Sequence, residues 1–257
     1  MSKILTAERV SRDPSDNYVF QRSLLAYREA ARRIGGDVLE IGTGTGYGIE
    51  IVAPRAASFL TLDKQTPSGA APALPHVEMR RATVPPLDLP ASAFDWVICF
   101  QVIEHVRRDL ELVREIHRVL RPGGRLIVTT PNIRMSLTRN PWHIREYTAD
   151  QFDNLLHSAF PAVERLGVFG NERVMEYYEQ NRRGVERITR FDPLDLQHRL
   201  PGWMLRLPYD LLNRLNRRRL LERNDELTRS ISTEDYRIAP AADDCFDLFY
   251  IATKETE

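Results

Sequence analysis

The stretch VLEIGTGTGYG, residues 38–48, sets a carboxylate at Glu40 ahead of glycines at 42, 44 and 46. A strand that runs into such a turn lets backbone amides approach a nucleotide closely. The dinucleotide fingerprint G-x-G-x-x-G would need a glycine where this chain has Tyr47, so that register fails. A carboxylate beside two phosphates is also repelled. Glu40 suits a ligand that bears a cationic amine next to a carboxylate. Of the six histidines, two lie where acid–base chemistry would be useful: His105, directly after Glu104, and His143 in NPWHIREYT.

A sheet has to position these groups. Residues 16–34 read as a helix with Phe20, Leu24, Tyr27 and Ala31 on one face. Strand-like and helical runs then alternate: DVLEIG, a helix through GIEIVAPRA, SFLTLD, VEMRR, FDWVICFQV, a helix over DLELVREIHRVL closed by RPGG, and RLIVTT. Apolar strands separated by helices predict a mostly parallel sheet covered on both faces, with ligands outside the carboxyl ends of the strands. TADQ predicts a capping box from Thr148 to Gln151, with Tyr147 and Phe152 as a hydrophobic staple. FPAVERLGVFG supplies a sixth strand and FDLFYIAT a seventh and last. Between them, the polar, arginine-rich residues 171–236 predict a helical insertion or lid within a single domain spanning 1–257.

LEIGTGTGYG resembles the first motif of the class I S-adenosylmethionine-dependent methyltransferases. FLTLD, FDWVICFQVIEHV and LRPGGRLIVTTPN resemble later motifs of that family, in the right order. The resemblance covers about residues 16–170 and 246–253. It implies a Rossmann-like α/β fold and S-adenosyl-L-methionine as cofactor, with Glu40, Gly42, Thr43, Gly44 and Gly46 around its methionine part. Asp63, 21 residues after Gly42, stands where the family's acid takes both ribose hydroxyls. The backbone at Gln101 is placed to meet the methionine amine. Many relatives have an Asp for the adenine amine where this chain has Thr83; the Thr83 hydroxyl and the Val84 amide are the expected adenine partners.

A sulfonium already carries an activated methyl, so the protein has to align an acceptor and exclude water. An alcohol or phenol acceptor also needs a base, which histidine fits best. His143, in the loop after the fifth strand, is the expected base; the alternative is a loop histidine bonded to backbone beside Trp142. His105 either shapes the pocket or shares the acid–base work. Trp142, Arg145 and Glu146 are the expected acceptor contacts, with an Arg145–Glu146 pair beside the helix start as the alternative. Tyr18 and Arg22 either lid the cofactor carboxylate or simply pack, and packing is favoured. His76, His117, His157 and His198 have surface or helix-face positions. Cys99 and Cys245 read as buried thiols without metal-ligand spacing, and no metal is expected.

In PGWMLRLPYDLLNRLNRRRLLERN, Trp203, Met204, Leu207, Leu211, Leu212 and Leu215 fall on one helical face, and Pro208 suits a first turn. Seven arginines and two acids lie between Arg199 and Arg223. Two roles are open. A lid would bury the apolar face on its own sheet, which is favoured as the primary packing; an interfacial helix would meet anionic lipid through residues 201–221. Nucleic acid is disfavoured, because Lys+Arg and Asp+Glu balance at 36 each and no exposed aromatics interleave the arginines.

MSKILTAERVSRD has no signal-peptide core, and no apolar run nears the ~18 residues of a spanning helix. The expectation is a cytoplasmic enzyme, peripheral at the membrane if the insertion binds lipid. Its expected activity is methyl transfer to an oxygen of a small-molecule, glycan or lipid-linked acceptor. N-methylation of a small amine and a non-catalytic cofactor-binding module are the rivals.

Overall fold

The structure is a computed structural model that describes residues 12–65, 74–190 and 196–256. Residues 1–11, most of the stretch on which the signal-peptide argument rests, lie outside the described residues, as does the side chain of His198.

Among the described residues, eight strands form one sheet: β1 (Asp37–Ile41), β2 (Ser58–Asp63), β3 (Val77–Arg81), β4 (Phe94–Phe100), β5 (Leu120–Pro131), β6 (Ala162–Gly170), β7 (Tyr236–Pro240) and β8 (Asp247–Thr253). Their order is β3-β2-β1-β4-β5-β8-β6-β7. The first five in that order run parallel, β8 is antiparallel to both β5 and β6, and β7 is antiparallel to β6. This is the expected α/β sheet with one strand more than the seven read from the sequence. The extra strand, β7, starts inside the stretch assigned to the helical insertion. Only Tyr236 of its five residues is buried, so it lacks an apolar run, and it lies at the sheet edge with Pro240 at its end, where a missing N–H is tolerated.

Alternate strand residues feed two cores. Leu39, Ile41, Val97, Cys99, Leu126 and Val128 face one side, and Val38, Ile98 and Ile127 face the other. The first side is covered by α3 (Asp109–Val119) and α4 (Ala149–His157), through Leu112, Val113, Ile116, Phe152 and Leu156. The second is covered by α1 (Asn17–Ala31) and the short α2 (Ile49–Val52), and further along by α5 (Glu172–Thr189) and α7 (Gly202–Arg223). Two short helices, α6 (Leu196–Arg199) and α8 (Asp225–Ser230), flank α7.

Several local expectations shift. Helix α1 buries Tyr18, Ala26, Tyr27 and Ala30, so only Tyr27 of the four predicted face residues is fully covered; Phe20 instead meets the Tyr47 ring edge-on. Helix α3 stops at Val119 and β5 begins at once, so RPGG is a bulged part of the strand: Phe94 pairs with Leu120, then Trp96 with Arg125. At α4 the capping box from Thr148 to Gln151 is complete, and Tyr147 packs on Phe152 with ring centroids 5.3 Å apart. Both cysteines are buried, which pushes the Cys245 thiol up to about 11 and that of Cys99 higher still. No helix among the described residues is long and apolar enough to cross a membrane.

Candidate active site

β1 ends at Ile41, and the chain leaves the sheet through Gly42 at φ 88°, a left-handed conformation in which a Cβ would collide with Val102. Gly44 repeats the left-handed conformation, and its amide donates to Asp63 Oδ2 at 2.9 Å. The turn therefore binds the tip of β2 and opens a cavity of about 250 Å³ at the carboxyl ends of the strands. Gly42, Thr43, Gly44, Asp63, Thr83, Val84, Gln101 and His105 all line it.

Glu40 and Gly46 do not line it. Glu40 was expected to face a ligand amine. It is buried, and its oxygens accept from Tyr27 Oη at 2.9 Å and Thr61 Oγ1 at 2.7 Å, with the Thr43 hydroxyl against that of Thr61. The reason is register: Glu40 pairs directly with Thr61 across β1 and β2, which turns the carboxyl beneath the glycine turn. Burial pushes it up to about 7, against the hydrogen bonds from Thr61 and Tyr27. These contacts tie the end of β1 to α1 and β2 beneath the turn.

The charged pair that does face the cavity joins residues far apart in the chain. Arg22 Nε lies 2.9 Å from Asp247 Oδ2, both largely buried. Asp247 Oδ1 is buried with no hydrogen-bond partner of good geometry, and burial raises this carboxyl, opposed by Arg22 and by the nearby Gln101 side chain. Arg22 does more than pack, and nothing in the sequence singled out Asp247.

These walls fit S-adenosylmethionine. The Asp63 oxygens accept the backbone amides of Gly44 and Gln65, which fixes the carboxylate on the cavity wall where a ribose diol could donate to it. Leu62, Ala82 and Val106 give apolar surface beside Thr83 and Val84 for an adenine ring. Arg22 and the orphaned Asp247 oxygen match an amino-acid carboxylate and ammonium.

Arg22 also lines a second cavity, of about 200 Å³, and is the residue the two cavities share. Tyr18, Tyr177, Tyr178 and Tyr209 supply its aromatic walls, and Asn140, His143, Glu146, Asn181, Asn213 and Arg217 its polar ones. Helices α1, α5 and α7 each contribute to it.

The loop before α4 brings the remaining predicted residues together only in part. Its backbone is fastened by the Glu104 carbonyl, which accepts from Ile144 N at 2.7 Å and Arg145 N at 3.2 Å. His143 Nδ1 lies 2.6 Å from Glu146 Oε1, and Ser136 donates to the other Glu146 oxygen. His105 Nδ1 donates to the Trp142 carbonyl at 2.9 Å. Arg145 does not pair with Glu146: it reaches Asp109 at 2.8 Å and is 60% exposed, lining neither cavity. Trp142 faces neither cavity; its Nε1 donates to Asp210 of α7 at 3.0 Å and Arg206 stacks over its ring. Glu104 is buried, which pushes its carboxyl up to about 7 against the pull of His143. One oxygen of Glu104 and a nitrogen each of His105 and His143 lie within 4.8 Å of one another. That trio comes from two separate loops, so it had no ligand spacing in the sequence.

The fold and site have counterparts among known proteins. Residues 39–128 match the family model described as a methyltransferase domain. The chain is 40% identical over 175 residues to a probable S-adenosylmethionine-dependent methyltransferase of Mycolicibacterium smegmatis, covering 64% of this chain and 68% of that protein. It is 39% identical over 182 residues to a probable S-adenosylmethionine-dependent methyltransferase of Mycobacterium tuberculosis, covering 67% of this chain and 66% of that one. Among solved structures, a methyltransferase of Thermotoga maritima described as a possible histamine N-methyltransferase superposes with a TM-score of 0.58 at 14% identity, over 93% of this chain and 91% of that one, and speaks for the fold alone. With the glycine turn, the Asp63 carboxylate and these relatives in agreement, the chain belongs to the S-adenosylmethionine-dependent methyltransferase family.

Proposed function

We propose that this methyltransferase acts on a hydroxyl of a polyhydroxylated acceptor, a saccharide or lipid-linked saccharide, seated in the second cavity, with His143 as general base. The hydrogen bonding of His143 carries this reading. Asn140 Oδ1 accepts from the Trp142 amide at 3.0 Å, so the Asn140 NH2 is the group that points at His143 Nε2, 2.8 Å away. Nε2 is then the acceptor, and Nδ1 carries the proton that goes to Glu146. This is the tautomer that can take a proton at Nε2 while a carboxylate behind it stabilises the imidazolium. An acceptor hydroxyl would replace the Asn140 NH2 at that nitrogen.

When bound, the cofactor supplies a methyl activated by its positive sulfur. The chain's own part is to hold the acceptor oxygen in line and remove its proton. Tyrosine faces suit the C–H faces of a sugar ring, and the asparagine amides of the same cavity suit its hydroxyls. Replacement His143→Ala tests the assignment. It should lower kcat by about 10²–10⁴-fold with S-adenosylhomocysteine affinity unchanged. Near-normal turnover would remove His143 as the base and favour a neutral amine acceptor, which attacks without one.

A further inference from the structure

Helix α7 is inside out. Leu220 apart, which is buried in the second core, the side it turns to the protein is polar: Asp210 takes the Trp142 indole, Asn216 donates to Asn181 Oδ1 at 2.7 Å, and Arg217 reaches Asp16 at 2.5 Å. Gly184 of α5 lets this side come close, since a Cβ there would lie 2.7 Å from the Asn216 side-chain oxygen. Tyr209, Asn213 and Arg217 on the same side line the second cavity. The apolar face predicted for a lid buried on its own sheet points the other way. Trp203, Met204, Leu207, Leu211, Leu212 and Leu215 are all exposed, Leu207 at 79% and Trp203 at 71%. Six of the nine exposed large apolar side chains among the described residues sit on this one helix. Pro208 lies well inside the helix rather than in its first turn.

The inversion has a physical cause. A helix that closes a polar cavity must place its polar side inward, and the apolar residues are left outside. Scattered exposed leucines need no explanation, but a contiguous stripe on one helix marks a surface that something covers.

We propose that α7 docks on an anionic lipid surface, lying in the interface with Trp203, Leu207 and Leu211 inserted. Charge selects this occupant. The stripe Leu207, Leu211 continues at steps of four and three into Arg214 and Arg218, and Arg218 and Arg219 are exposed beside it. The whole chain is neutral, so this concentration of arginine is local. A helix with an apolar stripe, a tryptophan and basic flanks lies on a bilayer rather than across it. The inference is independent of which atom is methylated.

Vesicle co-sedimentation tests it, with the full chain and phosphatidylcholine vesicles with or without phosphatidylglycerol. Binding to the anionic vesicles should be at least about tenfold tighter than to phosphatidylcholine alone, and should weaken as salt is raised. Leu207→Ser/Leu211→Ser and, separately, Arg218→Glu/Arg219→Glu should each weaken it about tenfold or more, while S-adenosylhomocysteine binding stays at the wild-type value. Absence of vesicle binding at low salt overturns the proposal. So does a dimer in sedimentation velocity that Leu207→Ser/Leu211→Ser dissolves, because the face would then be covered by a second copy.

Discussion

His105 and His143 meet edge to face, with ring centroids 4.9 Å apart and planes at 79°, His105 on the wall of the first cavity and His143 on the wall of the second. The two cavities also share Arg22. A methyl held in one and an acceptor held in the other would meet where these side chains lie. Each imidazole is oriented by an acceptor at Nδ1, the Trp142 carbonyl for His105 and Glu146 for His143, so each presents Nε2 as its lone-pair nitrogen when neutral.

With His143 as the proposed base, Glu146 would be a positioning residue, acting through its contact with His143 Nδ1. Glu146→Gln keeps the shape but loses the charge behind the imidazole. It should lower kcat at least about tenfold, with KM for the acceptor changed less. Steady-state kinetics separate the two. A raised KM at unchanged kcat would make Glu146 an acceptor contact only.

Asp247 should read the amino-acid end of the cofactor. Asp247→Asn should weaken S-adenosylhomocysteine binding about tenfold to hundredfold, the range of a lost charged hydrogen bond. Methylthioadenosine, which lacks the amino-acid part, should bind the variant as it binds wild type. Calorimetry with both ligands checks this, and equal losses for both would mean a general collapse of the cavity.

Asp63 should read the ribose. Asp63→Ala removes the carboxylate that also holds the Gly44 amide, and cofactor affinity should fall by about hundredfold or more. An unchanged dissociation constant would show that the ribose is held elsewhere.

The glycine turn and Asp63 were legible because they are local: one strand, one turn and the end of the next strand, so type and spacing located them. The direction of the Glu40 side chain was not, because the register of β1 against β2 sets it and no local pattern reports that register. The second cavity, the proposed acceptor site, is built from α1, the loop before α4, α5 and α7, and its tyrosines carry the same helical periodicity as ordinary packing residues. Arg22 and Asp247 pair from opposite ends of the described chain, which no local pattern reports. For α7 the periodicity located the apolar face correctly but could not give its direction. Polar groups that were not conspicuous in the sequence, Asp210 and Asn216, decide that the other side packs inward. Strand β7 went unread because an edge strand with a single buried residue has no apolar run.

Buried Glu40 makes folding stability depend on pH. Its carboxyl rises from 4.5 to about 7 in the folded chain, so the folded state holds the extra proton between those values and stability falls as pH rises through that window. The contribution is on the order of 3 kcal/mol. Glu40→Gln removes it, and the variant should gain in Tm relative to wild type between about pH 5 and about pH 8. Parallel Tm curves across that range would contradict the assignment.

Transfer to oxygen is tested most directly by following a carbon-13 methyl from labelled S-adenosylmethionine into product, over a panel of saccharides, lipid-linked saccharides and amines, by NMR. The label should arrive on an oxygen of a hydroxylated acceptor, and its arrival should slow strongly in His143→Ala. A label found on nitrogen, at the same rate with and without His143, would contradict the account.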